Sequence, residues 1–351
     1  MSEKIRVLVT ALGGTSHGQQ ILKALRHGEL DYHIVGSDMT SRSSGRAISD
    51  AFVTLPPAGA PDYLESLERV IEAHGIQAVF HGCEQEMTVF SQNRDRLEKN
   101  GVFFPVNPPR VLDICQNKAR TNALLMEKGF EPPRYVSITS VDDTEQVDFL
   151  PAVLKPSSGG GGSAHVYIAQ DQRELEFLAE YLLGFCPEVL AQEYMGTAEE
   201  EYTVGVLFGR DGELLNSIGV RRLVEGAIST RFRVPNRTGR ADLGPQLTIS
   251  SGISQGEVGK WPEVTQMCES IASVLGAEAP VNVQCRVVDG AVKVFEINPR
   301  FSGTTSLRAM AGYNEPEVLI RREVLGEEVT PGFSYREGTI LRSLVEHWIA
   351  D

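Results

Sequence analysis

Residues 154–168 read LKPSSGGGGSAHVYI, a run of four glycines between two apolar segments. The flanking segments PAVLKP and AHVYIAQ have the composition of short strands, and a helix with Asp171 as its N-cap is predicted next. The glycines therefore join the strands of one hairpin, whereas a flexible tether would lie between folded units. Because glycine lets a backbone approach a ligand closely and Lys155 lies just before the loop, the loop is predicted to cradle phosphate, with an idle loop as the alternative.

A second hairpin is predicted in residues 280–306, PVNVQCRVVDGAVKVFEINPRFSGTTS. The glycine of VDG suits the left-handed position of a three-residue loop, and that loop would place Gln284 opposite Val294. In this register Gln284, Glu296 and Asn298 share one side of the sheet, whereas a two-residue loop would separate them. Oxygen ligands of this kind suit magnesium held jointly with phosphates, although each residue taken alone is more often structural.

Charge and hydroxyl groups follow this hairpin. The guanidinium of Arg300 is expected to contact a transferring phosphoryl group. A helix is predicted to begin within FSGTTSLRAM, where its N-terminal amides and hydroxyls would hold an anion. The residues assigned to substrate here are Arg300, Ser302, Gly303 and Thr304, with Thr305 as a further hydroxyl.

The N-terminal third alternates strand-like and helix-like segments. KIRVLV, YHIVGSD, IQAVF and VFFPV have strand composition, and GQQILKALRH, DYLESLERVIEAH and MTVFSQNRDRLEKN have helical periodicity. This alternation predicts a parallel, doubly wound sheet of Rossmann type, whose ligands bind at the carboxyl ends of the strands. The residues at those ends are Gly14, Thr15, Asp38, Glu84 and Gln85, with helix capping as an equal alternative and Glu84 assigned to substrate. GGTSHG does not match GxGxxG, so nicotinamide binding is a minor alternative.

Composition restricts the class of partner. The chain has 351 residues, 41% hydrophobic and 23% charged, with a formal net charge of -14 and a pI near 5.1. This acidic balance opposes broad binding to nucleic acid or to an anionic membrane, because those partners need a basic surface. Five cysteines without a CxxC pair favour a reducing compartment, and no signal peptide or membrane span is evident. A cytoplasmic protein of roughly two domains is expected.

Together these segments resemble the ATP-grasp superfamily, most closely single-module relatives of the carbamoyl phosphate synthetase large chain and of amino-acid ligases. The motifs NKARTNALLMEKGF, AVLKPSSGGGGSAHV, LAQEYMGTAEEEYTV and VNVQCRVVDGAVKVFEINPR follow the family order. The resemblance implies an α/β fold, α+β in its C-terminal part, with a Rossmann-like pre-grasp domain at 1–117. A small lid subdomain with the glycine-rich flap is expected at 118–194, and a catalytic subdomain at 195–351. No second flap or second EINPR occurs, so a complete duplicated synthetase is not expected.

The resemblance also assigns a nucleotide site. Lys118 and Lys155 match the basic pair on the phosphates, and Glu201 matches the ribose-binding glutamate, with Glu199 and Glu200 as competitors. The flap over the phosphates comprises Ser157, Ser158, Gly159, Gly160, Gly161, Gly162 and Ser163. The hinge that faces adenine comprises Gln192, Glu193, Tyr194 and Met195.

The metal and catalytic residues follow from the same resemblance. Gln284, Glu296 and Asn298 match the ligands of Mg²⁺, with Mn²⁺ as the alternative, and two ions are expected. The first family position is often acidic, so Gln284 is expected to bind weakly or through water. Arg300 matches the arginine that steadies the acyl phosphate, and it is assigned to catalysis together with Lys155.

The implied activity is that of an ATP-dependent carboxylate-amine ligase. A carboxylate would take the terminal phosphate of ATP to give an acyl phosphate and ADP, and an amine would then displace phosphate to form an amide or peptide bond. Two alternatives stay open: phosphorylation of bicarbonate or carbamate, and a non-catalytic nucleotide-binding protein. Small-molecule acids and amines are the expected partners, and homodimer formation is left open.

An arginine-rich segment at 221–240 has two interpretations. In an otherwise acidic chain it favours a substrate with an extra carboxylate or phosphate, and a solvated hairpin is the equal alternative. Arg231 and Arg233 alternate in a predicted strand, so they are expected on one face and are the preferred substrate ligands. His17 and His81 are weaker candidates for bases, since a lone histidine is more often structural. The other arginines of the segment are Arg221, Arg222, Arg237 and Arg240.

Overall fold

The N-terminal part is a parallel sheet with helices between its strands. The computed structural model describes residues 4–14, 16–159 and 165–347. In chain order the first elements are β1 (Ile5–Val9), α1 (His17–Arg26), β2 (Tyr32–Asp38), β3 (Ala51–Thr54), α2 (Tyr63–His74), β4 (Ala78–Phe80), α3 (Glu84–Gln92), α4 (Arg94–Leu97) and α5 (Pro109–Cys115). The strands pair in parallel in the order β3-β2-β1-β4, which confirms the Rossmann-like prediction.

Helix α1 follows the glycine turn after β1 for local reasons. The Ser16 side chain accepts a hydrogen bond from the Gln19 amide and so caps the helix. The helix buries Ile21, Leu22 and Leu25, the apolar stripe that its periodicity predicts. The first residue of α1 is therefore held at the carboxyl end of β1, where ligands of such sheets bind.

The predicted strand VFFPV is reduced to one parallel bridge between Phe103 and Ala78. The Phe103 amide donates to the Gln77 carbonyl, and the Phe103 carbonyl accepts from the Val79 amide, each over 2.9 Å. The ladder does not extend past Pro105, because proline has no amide hydrogen to donate.

The middle of the chain forms a four-stranded antiparallel sheet. Its elements are α6 (Lys118–Glu127), β5 (Tyr135–Ile138), β6 (Ala152–Pro156), β7 (Tyr167–Ala169), α7 (Gln172–Leu183) and β8 (Val189–Glu193), with strand order β5-β8-β6-β7. Strands β6 and β7 pair antiparallel, which confirms that the glycine run joins two strands of a hairpin. Asp171 accepts from the Glu174 amide, which confirms the predicted N-cap of α7.

A six-stranded antiparallel sheet follows. The remaining elements are β9 (Glu201–Phe208), β10 (Leu214–Arg222), α8 (Gly226–Ser229), β11 (Thr230–Pro235), β12 (Gln246–Ser250), β13 (Gly256–Gly259), α9 (Pro262–Leu275), β14 (Val281–Val288), β15 (Ala291–Asn298), α10 (Thr305–Met310), α11 (Glu315–Leu319) and β16 (Gly338–Ile340). The strand order is β15-β14-β9-β10-β13-β16, and β11 pairs with β12 alone. The chain is thus α/β at its start and α+β afterwards, as predicted. Short 3₁₀ helices lie at Ser44–Ala47, Glu98–Asn100, Val141–Gln146, Ala198–Glu200 and Ala241–Leu243, and a π-helical turn lies at Ile320–Val324.

The predicted loop of the β14–β15 hairpin is wrong. Val288 pairs with Ala291, so the loop has two residues, both with left-handed backbone: Asp289 at φ 48° and Gly290 at φ 78°. Such primed turns match the twist of the strands and are the commonest hairpin connections. A two-residue loop alone would put the two halves of the predicted oxygen cluster on opposite sides of the sheet.

A bulge in β15 restores the arrangement. Cys285 pairs with Val294 and Gln284 pairs with Glu296, so Phe295 is one extra residue on its strand. A bulge shifts the alternation of side chains by one position. Gln284 and Glu296 therefore lie on the same side of the sheet, although Gln284 does not face Val294 as predicted.

One hydrophobic core joins the first sheet to the last. It contains Val7 and Phe80 of the parallel sheet together with Ile218 of β10 and Phe301, which follows β15. The rings of Phe80 and Phe301 lie 5.8 Å apart. This shared core fixes the carboxyl ends of the parallel strands against the end of β15.

Candidate active site

Three neighbouring cavities lie between the sheets, and Glu296 lines all of them. The large cavity, about 520 Å³, has Glu84, Lys118 and Asn298 in its wall. The narrow cavity, about 100 Å³, lies between the two antiparallel sheets. The third cavity, about 280 Å³, is lined by three arginines and is called the arginine cavity below.

Lys155 and Lys118 differ in their surroundings. The buried Lys155 ammonium donates to Gln192 Oε1 over 2.8 Å and to the Phe295 carbonyl over 3.1 Å. Burial lowers the pKa of Lys155 to about 8; the nearby Glu296 carboxylate opposes that shift and Lys118 adds to it. Within the described part of the chain, Lys118 forms no ion pair or side-chain hydrogen bond, so its charge is available to a ligand in the cavities it lines.

The four predicted hinge residues all line the narrow cavity. Gln192 turns its side chain to Lys155, and Glu193 pairs with Arg134 over 2.9 Å. The Tyr194 hydroxyl accepts from the Thr248 amide over 2.8 Å. The Met195 carbonyl accepts from Arg286 Nη1 over 3.0 Å.

Glu201, the predicted ribose ligand, lies in a buried network. One of its oxygens accepts from Arg222 over 2.9 Å and from the Ser250 hydroxyl, and the other accepts from Arg286 over 2.9 and 3.1 Å. Burial alone would raise the pKa of Glu201, but the charges of Arg222 and Arg286 outweigh it and lower that pKa. Glu201 lines the narrow cavity and its competitors do not; Glu199 is exposed and Glu200 is half-buried.

The predicted metal ligands lie together at the junction of the cavities. Gln284 Nε2 donates to Glu296 Oε2 over 2.9 Å, and Gln284 Oε1 accepts from Arg222 over 3.1 Å. Asn298 Oδ1 accepts from Arg300 over 3.1 Å, while its buried Nδ2 has no partner. The described residues contain no group of three His, Cys, Asp or Glu that could hold a metal, because this cluster has a single carboxylate.

This donor set fits a hard cation that takes most of its ligands elsewhere. Mg²⁺ usually binds one or two carboxylates and completes its shell with water and substrate phosphates. Glu296 supplies the carboxylate, and the amide oxygens of Gln284 and Asn298, which accept from Arg222 and Arg300, each keep a second lone pair. Asn282 lies opposite Asn298 and lines the arginine cavity, but it was not predicted from the sequence as a residue of the site. It precedes Gln284 by two positions in the same strand. That i, i+2 spacing was the available signal.

Arg300 links the end of β15 to the parallel sheet. It is buried, its Nη2 lies 3.2 Å from Glu84 Oε1, and its Nη1 donates to the Phe301 carbonyl over 3.1 Å. Glu84 is the first residue of α3 and lines the large cavity next to Gln85. The parallel sheet therefore contributes a carboxylate to the site.

Some of the other residues near the carboxyl ends of the parallel strands line a cavity and some do not. Gly14 and Asp38 do not line any of the three cavities, and Thr15 lies outside the described residues. His17 lines both the large cavity and the arginine cavity, and burial, followed by the charge of Arg300, lowers its pKa. His81 is buried behind it, and burial lowers its pKa to about 3.

The hydroxyl cluster after Arg300 is bonded internally. Thr304 donates from both its amide and its hydroxyl to the Ser302 hydroxyl, over 3.1 and 2.9 Å. The Ser302 amide donates to the Thr305 hydroxyl over 3.0 Å. Ser302 and Gly303 line the arginine cavity, whereas Thr304 and Thr305 do not. The hydroxyls of Ser302 and Thr304 therefore stabilise the turn before α10.

The first residues of the glycine flap are tied to α6. The Lys118 amide donates to the Ser157 carbonyl over 2.8 Å, and Asn117 and Ser158 form a bridge. Ser158 and Gly159 line the large cavity, and Gly159 has a left-handed φ of 76°. The remaining predicted flap residues lie outside the described part of the chain: Gly160, Gly161, Gly162 and Ser163.

The structure separates the two arginines that the sequence pairs. Arg231 lines the arginine cavity together with Arg222 and Arg300, and Arg233 does not. The Arg233 guanidinium instead donates to the Val224 carbonyl. Three further arginines of the segment form ion pairs away from the cavities: Arg221 with Glu257, Arg237 with Glu174 and Arg240 with Asp242.

Comparison with known families matches both ends of the chain. Residues 248–341 match the family described as ATP-grasp in the biosynthetic pathway with Ter operon, and residues 7–104 match the PylC-like N-terminal domain. The C-terminal match shows that this part of the chain is similar to ATP-grasp proteins. The second match corresponds to the parallel sheet, as expected for a pre-grasp domain.

Sequence relatives of this protein include much longer chains. It is 28% identical over 290 residues to the carbamoyl phosphate synthase large chain of Halobacterium salinarum, covering 81% of this chain and 26% of that one. It is 24% identical over 365 residues to the same protein of Brucella melitensis, covering 95% of this chain and 30% of that one. This chain therefore spans less than a third of either relative.

Solved structures share the fold over more than nine-tenths of this chain. The L-amino acid ligase of Bacillus licheniformis has a TM-score of 0.64 at 16% identity, covering 94% of this chain and 78% of that one. D-alanine--D-alanine ligase of Bacillus anthracis, complexed with ATP, has a TM-score of 0.57 at 18% identity, covering 93% of this chain and 98% of that one. The biotin carboxylase domain of Hydrogenobacter thermophilus 2-oxoglutarate carboxylase was solved with MgADP and bicarbonate. It has a TM-score of 0.62 at 17% identity, covering 94% of this chain and 71% of that one. At these identities the likeness establishes the fold. Over the described residues, no helix has the length and apolarity that crossing a membrane requires.

Proposed function

We propose that this protein is an ATP-grasp enzyme, an ATP-dependent carboxylate-amine ligase that forms an acyl phosphate and then an amide or peptide bond. The observation that carries the proposal is the position of Glu296, which lines all three cavities. It shares the wall of the narrow cavity with the two lysines and the wall of the arginine cavity with Arg300, so a triphosphate and an acid would meet beside it. Phosphoryl transfer depends mainly on such positioning and on charge neutralisation.

The nucleotide is proposed to occupy the narrow cavity with its base and ribose and to extend its phosphates into the large one. Val153, Val166 and Phe295 give the narrow cavity apolar walls for a base. Lys155 lies in the wall of the narrow cavity, and Lys118 lies in the walls of both. Two cations at that boundary would neutralise phosphate charge, and the fold is shared with proteins solved with ATP and MgADP.

The metal is proposed to be Mg²⁺, with Mn²⁺ as a substitute and two ions as the expected number. Glu296 and Asn298 would hold it, with Gln284 as a weaker ligand. When bound, the metal would neutralise phosphate oxygens during transfer. Because the cluster contains one carboxylate, metal affinity should depend strongly on the nucleotide.

The reaction is proposed to proceed in two displacements. An oxygen of the substrate carboxylate attacks the terminal phosphorus of ATP, the bond to the bridging oxygen breaks, and ADP leaves with the electron pair. The amine then attacks the acyl carbon, loses a proton, and inorganic phosphate departs. Arg300, beside Asn298, would steady the acyl phosphate, and the glycine flap would exclude water from it.

The domain division is part of the same proposal. Segment 1–117 would supply Glu84 and the wall beside His17, segment 118–194 the lysines and the flap, and segment 195–351 the metal ligands. Each segment contributes residues to the large cavity, which supports a site built from all three. Small-molecule acids and amines are the proposed partners; a homodimer and a cytoplasmic location complete the proposal.

A screen of ADP release tests the ligase proposal. The purified protein with ATP and Mg²⁺ is given a matrix of amino acids and small carboxylic acids with amines, and products are identified by mass spectrometry. ADP release that requires both an acid and an amine, with an amide product, is expected. ATP binding without ADP release across the matrix would favour a non-catalytic nucleotide-binding protein instead.

A second candidate is the phosphorylation of bicarbonate or carbamate. It is favoured by the sequence relatives, which are named as carbamoyl phosphate synthase large chains. In this case bicarbonate alone would support ADP release, and added amino acids would not increase it. Comparing bicarbonate-depleted with bicarbonate-supplied buffer separates the two candidates.

A further inference from the structure

The arginine cavity holds one cation that is not committed to a partner. Arg222 pairs with Glu201 over 2.9 Å, and Arg300 pairs with Glu84 over 3.2 Å. Arg231 lines the same cavity, and among the described residues it forms neither an ion pair nor a hydrogen bond. Of the three guanidinium groups, that of Arg231 is therefore available to a ligand.

A bulge in β11 separates Arg231 from its strand neighbours. Thr230 pairs with Ser250 and Phe232 pairs with Ile249, so Arg231 is an extra residue without a partner on β12. Bulges re-aim side chains and are frequent beside active sites. The bulge thus lies at the arginine that lines the cavity, whereas Arg233, two positions later, donates to the Val224 carbonyl and does not line it.

The rest of the cavity suits a small, highly polar molecule. Its volume of about 280 Å³ is below the roughly 300 to 1,000 Å³ of sites for drug-sized ligands. Among the described residues that line it, Ile253 is the only aliphatic one, and Glu296, which is proposed to bind the metal, supplies the only carboxylate. A Cβ at Gly303 would lie 2.4 Å from the Gly252 carbonyl, so these two segments of the wall are in close contact.

We infer that one of the two substrates carries a second anionic group, which is not consumed in the reaction and which Arg231 binds. The inference rests on the proposed ligase function, because the cavity adjoins the junction at Glu296 where the acyl phosphate would form. Arg300 lies at that junction and would serve the reacting carboxylate. Arg231 lies on the β11–β12 hairpin and would bind a group elsewhere on the substrate. The second group is a carboxylate or a phosphate, on either the acid or the amine.

The test compares substrates that differ by one anionic group. The acid arm uses succinate against succinamate and phosphoglycolate against glycolate, and the amine arm uses glycine against glycinamide. ADP release is measured for each with the wild type, Arg231→Gln and Arg231→Lys. Arg237→Gln is the matched control, because Arg237 pairs with Glu174 outside the cavity.

The wild type should prefer the member with the additional anionic group in one arm, and that arm identifies the source of the anion. Loss of one charge-assisted hydrogen-bonding group should raise KM for that substrate roughly 10- to 100-fold in Arg231→Gln, with KM for ATP unchanged. Arg231→Lys should recover part of the loss, and the Arg237→Gln control should match the wild type. Equal KM values for wild type and Arg231→Gln, or no preference in any arm, would overturn the inference.

Calorimetric binding of the same compounds without ATP keeps this result distinct from failure of the ligase proposal. If the wild type releases no ADP but binds the compound with the additional anionic group more tightly, and Arg231→Gln loses that difference, the anion site stands and the ligase function fails. If ADP is released but affinity and KM are the same with and without the additional anionic group, the ligase function stands and the anion site fails.

Discussion

Gln284 Nε2 donates a hydrogen bond to Glu296 Oε2 over 2.9 Å, although the two-residue turn between their strands would place them on opposite sides of the sheet. The extra residue Phe295 corrects the register, and its carbonyl accepts a hydrogen bond from the Lys155 ammonium. One bulge therefore sets both the arrangement of the proposed metal ligands and a contact of the buried lysine.

Removing the Glu296 carboxylate should abolish ligation. Because it is the only carboxylate in the proposed metal cluster, Glu296→Gln should lower kcat for ADP release by at least about 100-fold, in the range reported when one electrostatic stabiliser is lost. The thermal midpoint should stay within a few degrees. Glu257→Gln, which removes a half-exposed partner of Arg221, is the charge-matched control and should retain activity.

The charge of Lys155 should make nucleotide binding depend on pH. Burial lowers its pKa to about 8, so the ammonium is present below that pH and is lost as pH rises through it in the ligand-free protein. Affinity for a nonhydrolysable ATP analogue should therefore fall by roughly tenfold or more between pH 7 and pH 10, as expected for a lost charged hydrogen bond. Titration calorimetry of Lys155→Met should give a flatter pH profile; an equally steep one would contradict the role.

Glu201 should contribute to stability as well as to any contact with ribose. Glu201→Gln would leave the buried Arg222 and Arg286 without a counter-charge, and breaking a buried pair this way costs about 3–5 kcal/mol. Urea denaturation measures the loss, and the exposed Glu199→Gln is the control. A variant with unchanged stability and a raised KM for ATP would instead support a role confined to ribose.

Glu84 should position Arg300 across the interface between the parallel sheet and β15. Glu84→Gln removes the charge 3.2 Å from the guanidinium and should lower kcat about tenfold, less than Arg300→Ala does. In the double variant the two effects should not add, because they act through one contact. Additive losses of kcat would show that Glu84 and Arg300 act separately.

Most of the fold was predictable from local patterns. Alternating strands and helices indicated the parallel sheet, and the strand composition around the glycine run indicated the β6–β7 hairpin. Caps such as Asp171 were recognisable because a side chain and an amide three residues later suffice to make them. The strand predicted at VFFPV was too long, because Pro105 cannot donate the amide hydrogen that would continue the pairing.

The candidate site was predictable as a set of residues but less so as an arrangement. Gln284, Glu296 and Asn298 were expected on one side of the sheet for a reason that proved wrong. The buried partners of Glu201 were not foreseen, because Arg222 and Arg286 come from strands that meet only in the folded sheet. Asn282 was overlooked although the strand period places it beside Gln284.

The sequence by itself determined the order of elements, the identity of the chemical groups and the pairing of strands close in the chain, because these depend on nearby residues. Only the tertiary structure decided that Phe295 and Arg231 are bulged, that Glu296 lies where three cavities meet, and that Arg231 rather than Arg233 lines one of them. A bulge is a compromise between turn geometry, side-chain burial and pairing with neighbouring strands. Those forces act between distant parts of the chain, so no local pattern encodes their balance.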